Sequence, residues 1–362
     1  MSLSLFKRKA FVGIDLGHHS MKAVQVEKMG GGWKVTRVVN AATPEDAIKD
    51  SVVVDPEIVG AALRQLLRDA GISASYANIA VSGGSVVVRS VRIPRMPEAT
   101  LRKSIKFEAS RYVPSSVEDS YIEFEILGQA DDQQMDVLVV AAPKDVVESR
   151  VKACEQAGLE VEAVDVEAFA AYRSLIEAGM LQEYAEDTIA LVDIGASTTN
   201  MSVIRKGVFA MTRSIPQGGH TLTEALKAYF KLSYEDAESG KAQLDMTELI
   251  QDGGPIENPP LRVLQPHIDD LIREIRRSLN YYQSQQNEGA QANPVNKILL
   301  AGGGAKMLGM AQYVAHKLAL ETKASGVFEN PLFSHSGFGD VGAGLDLAVA
   351  SGLAMRTQGK AA

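Results

Sequence analysis

Two short segments, separated by about half of the 362-residue chain, carry the same signature. Phe11-Val-Gly-Ile-Asp-Leu-Gly17 and Ile189-Ala-Leu-Val-Asp-Ile-Gly195 each read as a buried strand that ends in Asp-x-Gly. An alternating stretch follows each, Ser20 to Glu27 and Thr198 to Ile204, as expected of an antiparallel partner strand. Gly30-Gly31-Gly32 and Lys206-Gly207 then turn the chain into third strands, Trp33 to Asn40 and Val208 to Ile215. A layout of strand, Asp-x-Gly turn, strand, turn, strand that occurs twice predicts a duplicated protein with two α/β halves. The length agrees, since 362 residues exceed one ordinary core.

The intervening sequence divides the chain further. Asp55-Pro56 opens a helix, and Asn78 to Ser82 is another strand. From Val88 to about Val164, prolines at 94, 97 and 114, a short helix over 98–112 and two strands mark a small α+β insertion. The expected domains are 10–87 with 165–186, the insertion 88–164, a second half 187–217 with 295–355, a helical part 218–294, and a disordered tail 356–362.

The chemistry resides in the turns. Gly17-His18-His19-Ser20 and Ala196-Ser197-Thr198-Thr199 are small-residue hairpins whose backbone N–H groups can converge on phosphate oxygens. Asp15 and Asp193, at the strand ends, suit a hydrated Mg²⁺ held through water. Lys22 can reach a terminal phosphate as a point charge. Gly302-Gly303-Gly304, between a strand and a helix, lets a ring or ribose approach the backbone; taken alone, it is equally a tight turn. It matches neither a P-loop nor a dinucleotide fingerprint.

Together these motifs resemble the phosphate-1, phosphate-2 and adenosine motifs of the actin and sugar-kinase superfamily. Glu167-Ala-Phe-Ala-Ala-Tyr172 and Gly342-Ala-Gly-Leu-Asp-Leu-Ala348 look like its two connecting motifs, and Ile215-Pro-Gln-Gly218-Gly219 like its phosphate-touching glycine pair. A narrower resemblance rests on Val91-Arg-Ile-Pro-Arg-Met-Pro97, Glu108 and Tyr112-Val-Pro114 in the insertion, with Val192 to Asn200 and Leu299 to Ala305. These are similar to the type IV pilus assembly protein PilM family. FtsA shares the architecture but ends in an amphipathic helix, which 355–362 does not resemble.

The resemblance implies an actin-like fold of FtsA/PilM type, with duplicated ribonuclease-H-like domains and an insertion. It implies ATP or ADP with Mg²⁺, clasped by Gly17, His18, His19, Ser20, Lys22, Gly195, Ala196, Ser197, Thr198, Thr199, Asn200, Gly218 and Gly219, and by Arg277, Gly302, Gly303 and Gly304. Glu167 would position an attacking water; a helix N-terminal charge explains it as well. Ile93 and Met96 would line a groove for the cytoplasmic N-terminal peptide of a PilN-like bitopic membrane protein, with pilus motor ATPases as further partners. His18 and His19 stand where the family has small hydroxyl residues, so hydrolysis is expected to be slow or absent. A filament-forming FtsA-like protein and a small-molecule kinase remain alternatives.

A net charge of −8 gives no general attraction to nucleic acid. The one cysteine, Cys154, has no partner for a disulfide or zinc site. No apolar run reaches the roughly 20 residues a bilayer needs, and Met1 to Lys9 has apolar before basic residues, the reverse of a secretory signal. The expected location is cytoplasmic, peripheral at the inner membrane.

Overall fold

The structure, a computed structural model, describes residues 10–113, 116–178, 183–250, 256–285, 294–335 and 344–356. The chain opens with an antiparallel meander, β1 (Phe11–Leu16), β2 (Ser20–Met29) and β3 (Gly32–Ala42). Short strands β4 (Ile48–Lys49) and β5 (Val52–Val53) lead into α1 (Pro56–Asp69). The Asp55 carboxylate caps α1 by accepting from Ile58 N, and Pro56 takes a position where no N–H is needed. After β6 (Tyr76–Val81) come β7 (Val87–Pro94), α2 (Glu98–Ala109), β8 (Ser120–Gln129) and β9 (Gln134–Pro143). Then follow α3 (Lys144–Gln156), β10 (Glu160–Val166) and α4 (Glu167–Tyr172).

The second meander is β11 (Thr188–Ile194), β12 (Thr199–Arg205) and β13 (Val208–Ile215). Helices α5 (Gly219–Phe230), α6 (Tyr234–Ala242) and α7 (Pro259–Ser284) follow. The chain ends with β14 (Lys297–Ala301), α8 (Met310–Leu318), β15 (Glu321–Ala324), β16 (Phe333–His335) and α9 (Ala348–Met355).

The sheets state the duplication outright. One runs β3-β2-β1-β6-β10 and the other β13-β12-β11-β14-β15, each an antiparallel meander continued by two parallel strands. The turns match in register too: Leu16 pairs with Met21 as Ile194 pairs with Thr199. The central strands are apolar on both faces because helices cover both sides; Val12, Ile14, Ile189, Ala190 and Val192 are all fully buried. In the first sheet, β16 adds a further parallel strand beside β3.

Two units emerge, 1–81 with 145–179 and 327–362, and 82–144 with 180–326. The expected insertion 88–164 is shorter than the sequence suggests. It consists of a sheet in the order β7-β9-β8 with α2 packed on it, around a core of Val91, Ile93, Leu101, Ile105 and Val137. Helix α3 buries Ala153 and Cys154 in the core of the first unit, and β10 pairs with β6 there. Although it interrupts the first half in sequence, the insertion belongs to the second unit.

Within the first unit the two connecting motifs meet. Helices α4 and α9 cross so closely that a Cβ on Gly352 would lie 1.8 Å from the Ala170 carbonyl oxygen. The buried Ser174 hydroxyl donates to the Ala348 carbonyl. Residues 342–343 of the second motif, Met1 to Lys9, Pro114 and the tail 357–362 lie outside the described residues. No helix among the described residues is long and apolar enough to cross a membrane.

Candidate functional site

In the second unit, the turn after β11 is built by its carbonyl groups. Gly195 N donates to Thr198 O at 2.9 Å, closing the hairpin. Gly219 N and His220 N, at the start of α5, donate to the carbonyls of Gly195 and Ala196 at 2.9 and 2.8 Å. A trans peptide sets its C=O and N–H on opposite sides. With those two carbonyls turned toward α5, the N–H groups of Ala196 and Ser197 point the other way. That is the geometry of an anion-binding nest. Close packing requires Gly218, whose added Cβ would fall 2.4 Å from the Gly195 carbonyl oxygen.

The glycine triplet abuts the same strand end. Gly302 sits at φ +87°, and a Cβ there would be 2.2 Å from Asp193 Oδ1. At Gly304 a Cβ would collide with the Ile194 side chain, whereas Gly303 is exposed with nothing within 4 Å of its Cβ position. The triplet is therefore packed at its ends and open in the middle, where a flat group can lie on the backbone. A small apolar pocket nearby is lined by Ile194, Gly218, Gly219, His267, Leu271 and Gly304.

Several expected contacts are used internally. Thr199 is fully buried and its hydroxyl donates to Gln217 O at 2.8 Å, while Asn200 accepts from the Ser214 hydroxyl at 2.6 Å. Both side chains brace the segment leading to Gly218 and Gly219. Arg277 is exposed and paired with Glu274 on α7. It lies roughly 9 Å along the helix from Leu271, the nearest pocket-lining residue of α7. Ile93, 1% exposed, belongs to the insertion's own core, so it lines no open groove; β7 alternates from Val91 to Pro94, and this face is the one α2 covers. Met96 is half-buried against that core and accepts from the Ser104 hydroxyl at its sulfur.

In the first unit the equivalent turn is held differently. Arg150 Nη1 donates to the Leu16 carbonyl at 2.9 Å, the Thr43 hydroxyl to Gly17 O at 2.6 Å, and Thr43 N to His19 O at 3.0 Å. By the same peptide geometry, the N–H groups of His18 and Ser20 point away from these anchors. His19 is exposed and His18 half-buried. Lys22 Nζ bonds Asp15 Oδ2 at 3.1 Å and the Ser20 carbonyl at 3.4 Å, so the expected phosphate and metal contacts meet each other. Glu167 opens α4 and is half-buried, beside Asp165, whose buried carboxylate receives Arg173 and Arg356.

Sequence reasoning missed a buried lysine, paired with half-buried Glu238, beside Gly219. Lys241 Nζ donates to Gly219 O at 3.2 Å, to the Thr223 hydroxyl at 2.8 Å and to Glu238 Oε2 at 2.7 Å. Its signal was Ala237-Glu-Ser-Gly-Lys241 on short α6, which reads as an ordinary surface pair until α5 is placed over it. Among the described residues, no three His, Cys, Asp or Glu converge as a metal site.

Comparison with known proteins agrees with this architecture. A family model for type IV pilus assembly protein PilM matches residues 13–358. A solved chain of a PilM-PilN type IV pilus biogenesis complex is similar at TM-score 0.83 and 25% identity, covering 97% of this chain and 99% of that one. Ethanolamine utilization protein EutJ from Carboxydothermus hydrogenoformans is similar in fold at TM-score 0.56 and 18% identity, covering 97% and 90%. The cell division protein FtsA of Streptococcus pneumoniae serotype 2 (strain D39 / NCTC 7466) is 22% identical over 365 residues, 90% of this chain and 78% of its own. The expected actin-like α/β fold is borne out.

Proposed function

Because the chain belongs to the type IV pilus assembly protein PilM family, we propose that it is a nucleotide-binding, actin-like scaffold of pilus assembly. An adenine nucleotide places its phosphates on the Gly195–Thr198 turn, and its ribose and base beside Gly303. Mg²⁺ is held through water near Asp193, and the Gly17–Ser20 turn with Asp15 is a second phosphate cradle of the same design. The observation that carries this reading is the anchoring of the Gly195 and Ala196 carbonyls on α5, which turns two N–H groups outward. Hydrolysis is slow or absent, since His18 and His19 supply no hydroxyl donor in the first turn.

The likeness to the PilM-PilN complex chain supports a PilN-like bitopic protein as partner, docking a cytoplasmic peptide on the insertion. A chain docked in this way would sit peripherally at the inner membrane. Calorimetric titration with MgATP and MgADP tests the nucleotide reading: saturable one-site binding is expected, and Asp193→Ala should abolish it. Absence of heat and of any melting shift at millimolar MgATP would rule the reading out.

A further inference from the structure

Arg150 heads the fully buried side chains by size, at 1% exposure, within the helix that carries Ala153 and Cys154 into the core of the first unit. Among the described residues its one hydrogen bond goes from Nη1 to the carbonyl of Leu16, the residue that leads into the Gly17–Ser20 turn. Nε is buried without an acceptor, and no carboxylate among the described residues pairs with the guanidinium. An arginine stays charged even when buried, and a buried charge without a counterion is unfavourable unless something compensates it. Lys22 does not need that compensation, because Asp15 already pairs with it. The turn therefore rests on one neutralised cation and one that is not.

We propose that Arg150 is a positioning residue for an anionic ligand, and that its counterion is a phosphate group of a nucleotide bound on the Gly17–Ser20 turn. This rests on the nucleotide reading above. The guanidinium does two things: it fixes the first carbonyl of the turn, and it sets a positive charge behind N–H groups that face outward at His18 and Ser20. In the low-dielectric interior that charge is poorly screened, so it acts on a phosphate it does not touch. The ligand class it selects is a nucleoside di- or triphosphate over the bare nucleoside.

The test compares MgATP, MgADP and adenosine binding to the wild type, Arg150→Gln and Arg150→Lys. Glutamine keeps a donor for Leu16 O without the charge; lysine keeps both. Arg150→Gln should weaken MgATP and MgADP by roughly tenfold or more, leave adenosine within about twofold, and leave the melting temperature of the ligand-free protein unchanged or higher. Arg150→Lys should retain most of the MgATP affinity, and a loss equal to that of glutamine overturns the charge argument. Equal losses for adenosine and MgATP in Arg150→Gln would mean a merely structural role and overturn the proposal, as would unchanged MgATP binding. If the wild type binds no nucleotide, the underlying reading fails first, and this inference with it.

Discussion

Lys22 faces Asp15 across the first hairpin with its Nζ 3.1 Å from Oδ2 and both side chains 11% exposed. At the same step of the second hairpin, Asn200 stands opposite Asp193 and turns its Oδ1 to the Ser214 hydroxyl. One turn thus carries a closed ion pair where its duplicate carries an amide engaged elsewhere. Duplication preserved the backbone but not the charge state of the two cradles. On the proposed reading, a phosphate that engages Lys22 on the first turn has to draw it away from Asp15.

Removing one member of the pair leaves the other buried and alone. Lys22→Met should destabilise the protein by about 3 kcal/mol, measured by urea unfolding. The double variant Lys22→Met with Asp15→Asn should recover most of that loss, because the uncompensated carboxylate is gone. A double variant no more stable than Lys22→Met would show that the pair is not what the lysine stabilises.

Gly302 and Gly303 should separate folding from ligand approach. Gly302→Ala combines φ +87° with a Cβ 2.2 Å from Asp193 Oδ1, so both the melting temperature and MgATP binding should fall sharply. Gly303 is exposed and open, so Gly303→Ala should leave the melting temperature within a degree or two and weaken nucleotide alone. Wild-type affinity in Gly303→Ala would remove the triplet from the binding site.

Cys154 gives a pH signature. Complete burial pushes its thiol from 9.0 up to about 12, with nearby Arg150 pulling the other way. The folded state thus favours the protonated thiol. Its contribution is fully present below pH about 9, where the thiol is neutral in both states, and is lost as pH rises from there toward 12. Wild-type stability should therefore fall more steeply than that of Cys154→Ala between pH 9 and 11, as followed by denaturant midpoints. A thiol reagent at pH 8 should react only on unfolding.

The legible part of the site was the part fixed by backbone demands. Asp15-Leu-Gly17, Asp193-Ile-Gly195 and Gly302 to Gly304 could be read because tight turns and close crossings need small residues whatever the tertiary context. Side-chain roles were harder, since they depend on which face a neighbour covers. The end of strand β7 alternates from Val91 to Pro94, but only α2 decides that Ile93 points inward. Nothing in the sequence singles out Arg150 or Lys241, and burial by elements distant in sequence gives both their meaning. The insertion's membership of the second unit had no local signal at all.

The peptide partner tests the insertion. Ile93 is closed off, so a segment docking on the insertion would need another surface, and we propose the β8 edge. It is an edge strand of the β7-β9-β8 sheet, paired among the described residues only with β9, and its Tyr121, Glu123, Glu125 and Leu127 are exposed. An edge with alternating exposed side chains is what strand addition uses: main-chain bonds supply affinity and alternate side chains supply selectivity. The register shift between Ile126 and Gly128 bends the far end, which restricts pairing to the stretch before it. Tyr121, 48% exposed, is the aromatic side chain of that stretch. Tyr121→Ala should weaken binding of the partner's cytoplasmic peptide by roughly tenfold or more with melting unchanged. Ile93→Ala should instead cost about 2–4 kcal/mol of stability and leave the affinity of the folded fraction intact. Peptide titration by fluorescence anisotropy, run beside thermal melts of both variants, separates the outcomes. Unchanged affinity in Tyr121→Ala together with a loss in Met96→Ala would move the peptide from the β8 edge to the β7 side of the sheet.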